Sequence, residues 1–118
     1  MSIITMYQLS RRGMNFIEPT TSQKKLLILN TLGDPYCMTI LETVQEIPKS
    51  AMEINYETRI PISTTYRRIQ ILHDNKLLKT SGTITDDGKK LFLYKSKVKG
   101  IQSVFNDGKT EVELILNN

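Results

Sequence analysis

Ser63, Thr64, Tyr66, Arg67, Arg68 and Gln70 fall in one short run of the chain. Hydroxyls, a phenol, guanidinium groups and a carboxamide donate to phosphate oxygens and to base edges, and arginine grips the two acceptors of guanine as a fork. A second basic pair, Lys89-Lys90, follows Asp86-Asp87-Gly88, where the chain is expected to reverse. Ammonium groups at such a tip suit a phosphate backbone or a narrow groove. The same residues would also serve as a solvated helix face and a hairpin kept soluble by lysines. Other chemistries lack their residues. There is no Gly-rich phosphate loop, no HExxH and no nucleophile with a base partner, because His73 and Cys37 are single. No enzyme activity, cofactor or metal site is expected.

The elements that must hold these residues can be read from spacing. Pro19-Thr20-Thr21-Ser22 supplies cap candidates, and Leu26, Ile28, Leu29 and Leu32 predict a first helix that ends at Gly33. Asp34-Pro35 is an N-cap with proline at the first helical position. The second helix is expected to carry Tyr36, Cys37, Ile40, Leu41, Val44 and Ile47 as its apolar stripe and to stop at Pro48. Ser50 and Glu53 form a capping box for a third helix from Ala51 to about Thr58, burying Ala51 and Ile54. Ile60-Pro61 then forces extended backbone, so the fourth helix starts at Ile62 or Ser63. Thr65, Ile69 and Leu72 point inward at helical spacing, leaving Ser63, Tyr66, Arg67 and Gln70 together outside. Asn75 is the expected left-handed residue after this helix, since Arg59 and Lys76 are poor choices for that conformation.

After Leu78 the period changes to two. Ile84, Leu91, Leu93 and Val98 are expected on one side, and Phe92, Tyr94 and lysines on the other, around a hairpin tip at Asp86-Asp87-Gly88. A second hairpin is read at 100–116, reversing at Asn106-Asp107-Gly108-Lys109. There Val112, Leu114 and Leu116 share one face, with Glu111, Glu113 and Ile115 on the other. An isolated pair of strands is marginal in water. This hairpin therefore extends the first one's sheet, pairs with a second subunit or holds another protein.

The formal charge is +4 over 118 residues, but it is unevenly placed. From Lys49 to Lys99 eleven Lys/Arg stand against five Asp/Glu, a balance of +6, while the remainder carries −2. Positive charge gathered on the segment with the polar helix face is what counterion release from a phosphate backbone rewards. No run of apolar residues is long enough to span a membrane, no signal peptide is recognisable, and a single cysteine excludes an intrachain disulfide. A cytoplasmic protein without membrane contact is expected. Its length fits one α+β domain: a winged helix-turn-helix with three to four helices and a β-hairpin wing, plus a C-terminal β-hairpin. The expected boundaries are 1–20 for an N-terminal arm, 21–98 for the winged helix-turn-helix and 99–118 for the extension. In the arm, Ile3, Ile4, Met6 and Leu9 read as a strand or packing segment, followed by a turn at Arg11-Arg12-Gly13.

The stretch from about Leu26 to Ser96 resembles the winged-helix transcription regulators of the ArsR and MarR type, and its wording is similar to small archaeal members. The resemblance rests on Ser50-Ala51-Met52-Glu53-Ile54, on Ile62-Ser63-Thr64-Thr65-Tyr66-Arg67-Arg68-Ile69-Gln70-Ile71-Leu72 and on Asp87-Gly88-Lys89-Lys90-Leu91-Phe92-Leu93-Tyr94. It implies a homodimer that occupies a two-fold-related site on double-stranded DNA. The recognition helix, about 62–75, would enter the major groove and the wing, 79–95, would meet backbone or minor groove. In that arrangement Arg67 reads bases, Ser63 and Thr64 meet phosphate at the helix N-terminus, and Arg68 does either. Tyr66 meets sugar or phosphate, Gln70 completes the face, and Lys89 and Lys90 straddle the backbone. The chain departs from metal-sensing relatives in having one Cys and one His, so Cys37 reads as core and His73 as surface. No small-molecule effector can be named. The rival reading is a non-catalytic winged-helix adaptor in a transcription-related complex, with its helix face covered by protein. RNA binding is a weaker third, since the aromatics do not repeat as a stacking platform.

Overall fold

The computed structural model of the protein describes residues 16–19 and 21–117. The arm features proposed at Ile3, Ile4, Met6, Leu9 and Arg11-Arg12-Gly13 lie outside that set. The elements in chain order are β1 (Phe16–Ile17), α1 (Ser22–Leu32), α2 (Pro35–Thr43), α3 (Ala51–Thr58), α4 (Ile62–Asp74), β2 (Leu78–Ile84), β3 (Lys90–Ser96), β4 (Val98–Asn106) and β5 (Lys109–Leu116). This is an α+β winged helix-turn-helix with an added C-terminal hairpin.

Three of the four helices among the described residues start at a side-chain cap. Thr21 Oγ1 accepts from the Lys24 amide at 3.1 Å, and Asp34 Oδ1 accepts from the amides of Tyr36 at 2.9 Å and Cys37 at 3.1 Å. At α3 the capping box is complete: Ser50 Oγ accepts from the Glu53 amide while Glu53 Oε1 accepts from the Ser50 amide. Among the described helices, α4 alone begins without a side-chain cap, at Pro61. The core gathers Cys37, Ile40, Leu41 and Val44 from α2, Ala51 and Ile54 from α3, Ile69 and Leu72 from α4, with Leu77, Leu78 and Val98 closing the base.

Several expectations are corrected. The second helix does not run to Pro48; it ends at Thr43, and Ile47 is exposed. The Val44 carbonyl accepts from the Ser96 amide, and Lys49 exchanges two backbone bonds with Tyr94. The chain after Thr43 is thus drawn toward the wing as a bridging segment instead of continuing the helix. Leu26 is also exposed, because α1 packs at the margin against α2 and β5, and so is Tyr36 in the first turn of α2. Lys76, with φ 61, takes the left-handed conformation after α4, while Asn75 stays at φ −83.

The strands form two antiparallel sheets, β2-β3 and β1-β5-β4. The C-terminal hairpin therefore does not extend the wing. Its reversal is at Asp107 (φ 52) and Gly108 (φ 74), the paired positive φ of a type I′ turn. In the wing, Tyr94, Ser96 and Val98 turn toward the body, with Tyr94 packed on the core and Ile84 exposed on the outer strand. Tyr94 was expected on the outer face; its backbone pairing with Lys49 brings it onto the core. The acidic face expected on the last strand is also corrected, since Glu113 and Ile115 are buried along with Val112. The cause is position: β5 lies in the middle of its sheet, between β1 and β4, with α1 against it. Neutral polar side chains clamp this sheet to the helices. Gln45 Nε2 donates to the carbonyls of Leu41 and Val98, and Asn117 Nδ2 donates to those of Gln45 and Ser96.

Candidate nucleic-acid interface

The amphipathic spacing of α4 separates its two sides cleanly. Thr65, Ile69 and Leu72 are buried, and Ser63, Tyr66, Arg67 and Gln70 are exposed on the opposite side. The Thr65 hydroxyl donates to the Pro61 carbonyl at 3.1 Å, which fixes the first turn from inside. With no side chain capping this terminus, its leading amides stay open to an external acceptor. Ser63 and Thr64 sit beside them, Thr64 half-buried.

The two arginines differ sharply. Arg67 is exposed, and among the described residues it has no ion pair or hydrogen bond. Arg68 is turned back against the body, its Nε donating to Asp34 Oδ2 at 2.9 Å while the guanidinium lies 5.5 Å from the Tyr36 ring centre. One carboxylate thus caps α2 through Oδ1 and holds α4 through Oδ2. Gln70 also has a partner, donating to Asp74 Oδ1 at 2.8 Å.

The wing tip is tied by Thr85, whose amide donates to the Lys89 carbonyl and whose hydroxyl accepts from the Lys89 amide. Gly88, at φ 82, closes the turn. The Thr85 hydroxyl also donates to Asp87, and this bond holds the Asp87 carboxyl below its usual range. Lys89 Nζ is 3.9 Å from Asp87 and highly exposed. Lys90 lies 5.0 Å over the Phe92 ring. The tip is therefore basic but flanked by Asp86 and Asp87. Burial raises the Tyr94 phenol above its ordinary value, with a smaller electrostatic contribution from Tyr66.

The basic segment is partly neutralised from within. Lys49 is bound to Glu57 at 2.6 Å and Arg68 to Asp34. The Lys49 hydrogen bond is the main cause of the lowered Glu57 carboxyl. Sequence reasoning treated Arg59 only as the occupant of the helix-turn-helix turn; it is exposed at φ 63, over the Tyr56 ring at 5.3 Å. It also gave Asp34 a capping role alone. The Asp34–Arg68 pair spans 34 positions and has no local signal. Cys37 and His73 fall as expected, the first buried and the second on the surface. Among the described residues no group of three or more His, Cys, Asp or Glu is arranged to hold a metal ion. No helix among them is long and apolar enough to cross a membrane.

No protein-family model matches the chain, and no curated protein does. Several solved structures share its architecture. NolR from Sinorhizobium fredii is 13% identical with a TM-score of 0.53, the match covering 70% of this chain and 84% of that one. A possible transcriptional regulator from Methanosarcina mazei Go1 is 16% identical with a TM-score of 0.52, covering 74% of this chain and 78% of that one. At these identities the likeness is one of fold.

Proposed function

We propose that this chain is a sequence-specific, DNA-binding transcriptional regulator of the ArsR/MarR-like kind, working as a cytoplasmic homodimer without catalytic activity. The observation that carries the reading is the open side of α4. It presents an exposed, unpaired Arg67 among Ser63, Tyr66 and Gln70, next to an uncapped helix N-terminus. A helix of this kind fits the major groove, where Arg67 engages a guanine edge and Ser63 and Thr64 donate to phosphate oxygens. Lys89 and Lys90 supply sequence-independent attraction from the wing. Arg68, engaged by Asp34, orients the helix and is removed from the set of direct contacts. In the dimer two such helices stand about 34 Å apart, one turn of duplex. An adaptor would expose an apolar patch here or bury the helix face; the exposed Ser63, Tyr66, Arg67 and Gln70 favour DNA.

The test is fluorescence-anisotropy titration of mixed-sequence duplex at several salt concentrations, with wild type, Arg67→Ala and Lys89→Ala/Lys90→Ala. The expected result is salt-dependent binding whose slope falls by about one for each phosphate-contacting lysine removed. Absence of binding at low salt by a folded protein overturns the reading in favour of the adaptor.

A further inference from the structure

A cleft of about 590 Å³ opens between α1, β1, β5, the end of α4 and the foot of the wing. Its size is that of a small-molecule site. Its walls are apolar: Leu27 and Ile28 from α1, Val98 from β4, and Leu114 and Leu116 from β5. Leu27 is 41% exposed here, an aliphatic side chain facing a concavity instead of the core. The polar residues around the cleft are of unequal sign. Lys24, Lys76, Lys79 and Lys97 stand against Glu18 and Asp74; Lys24 already has a partner, and the Asp74 carboxylate accepts from Gln70.

We infer that this cleft binds a small amphiphile with an aliphatic chain and a carboxylate head. The apolar walls take the chain, whose burial is favourable in proportion to its length. The excess of ammonium groups takes the head, since a carboxylate gains charge-assisted hydrogen bonds from lysine. Nucleic acid fits this cleft poorly, because a sugar–phosphate strand has no aliphatic body to fill the walls. The lysines come from separated points: Lys76 from the turn after α4, Lys79 from β2 and Lys97 from the β3–β4 corner. A head group held by them bridges the end of α4 to the foot of the wing. The consequence, that occupancy changes DNA affinity, rests on the function proposed above; the binding itself does not.

The experiment is an NMR titration of the full chain with decanoate, octanoate and 1-octanol, each below its micelle or solubility limit. One saturable site per chain is expected, with shifts centred on Leu27, Lys79 and Leu114. Affinity falls about fourfold for each methylene removed, and 1-octanol binds at least about fivefold more weakly than octanoate. Lys79→Gln/Lys97→Gln brings octanoate down to the level of 1-octanol and leaves 1-octanol unchanged, whereas Leu27→Gln weakens both. Leu27 is partly exposed, so its variant retains the fold. Absent saturation, equal binding of acid and alcohol, or shifts elsewhere overturns the proposal. So does a dimer, seen by sedimentation, that Leu27→Gln converts to monomer, for then a second copy fills the cleft. Because binding is read directly, failure to bind DNA leaves this result intact, and the converse holds.

Discussion

Asp34 joins two helices through its two oxygens, and substitutions at this position separate the two jobs. Oδ1 accepts from two amides at the start of α2, a cap whose removal costs about 1 kcal/mol. Oδ2 accepts from Arg68 Nε at 2.9 Å, with the side chains 26% and 20% exposed. A charge-assisted bond of that partial burial lies between a surface pair and a buried one, about 1–2 kcal/mol. Asp34→Ala loses both and is expected to cost about 2–3 kcal/mol. Asp34→Asn keeps a good cap and loses the charge, so about 1–2 kcal/mol is expected. The assay is urea unfolding followed by far-ultraviolet circular dichroism, closed as a double-mutant cycle with Arg68→Leu. The coupling between Asp34→Asn and Arg68→Leu is expected to be about 1 kcal/mol. Additive costs would refute the claim that this pair anchors α4, and equal costs for the Asn and Ala variants would refute the separate capping role.

Arg67→Ala is expected to weaken cognate DNA binding by about 1–3 kcal/mol and random duplex far less; equal losses in paired titrations would remove its base-reading role. Burial is the main cause that pushes the Cys37 thiol up to about 11 from 9.0, with Asp34 adding and Arg68 opposing. The folded state favours the neutral thiol, so this contribution is complete below pH 9 and is lost as pH rises toward 11. Two units lower the thiolate fraction about a hundredfold, so an aromatic disulfide reagent at pH 8 should label the native chain at least that much more slowly than the unfolded chain. Leu72→Ala empties a fully buried site and should cost about 2–5 kcal/mol in urea unfolding. A cost below about 1 kcal/mol would contradict the packing of α4 on the core.

Much of the architecture was legible because it depends on neighbours in sequence. The capping box at Ser50 and Glu53, the Asp34-Pro35 start, the break at Ile60-Pro61 and the spacing of Thr65, Ile69 and Leu72 all act within one or two turns of chain. The same local rules located both hairpin reversals and divided α4 into a buried seam and an open face. They failed where distant backbone competes for a residue. Periodicity carried the second helix to Pro48, but the Ser96 amide takes the Val44 carbonyl and Lys49 pairs with Tyr94. Alternation gave the last strand an acidic outer face, but placing β5 between β1 and β4 buried Glu113. Alone, the chain determined its helices, its reversals and the composition of its polar helix face, because capping, φ restriction and side-chain period are properties of adjacent residues. Only tertiary structure decided that Arg68 pairs with Asp34 while Arg67 has no partner among the described residues, and that four lysines line one apolar cleft. Those outcomes depend on which segments pack together, and the long-range pairing that sets them leaves no periodic mark in the sequence.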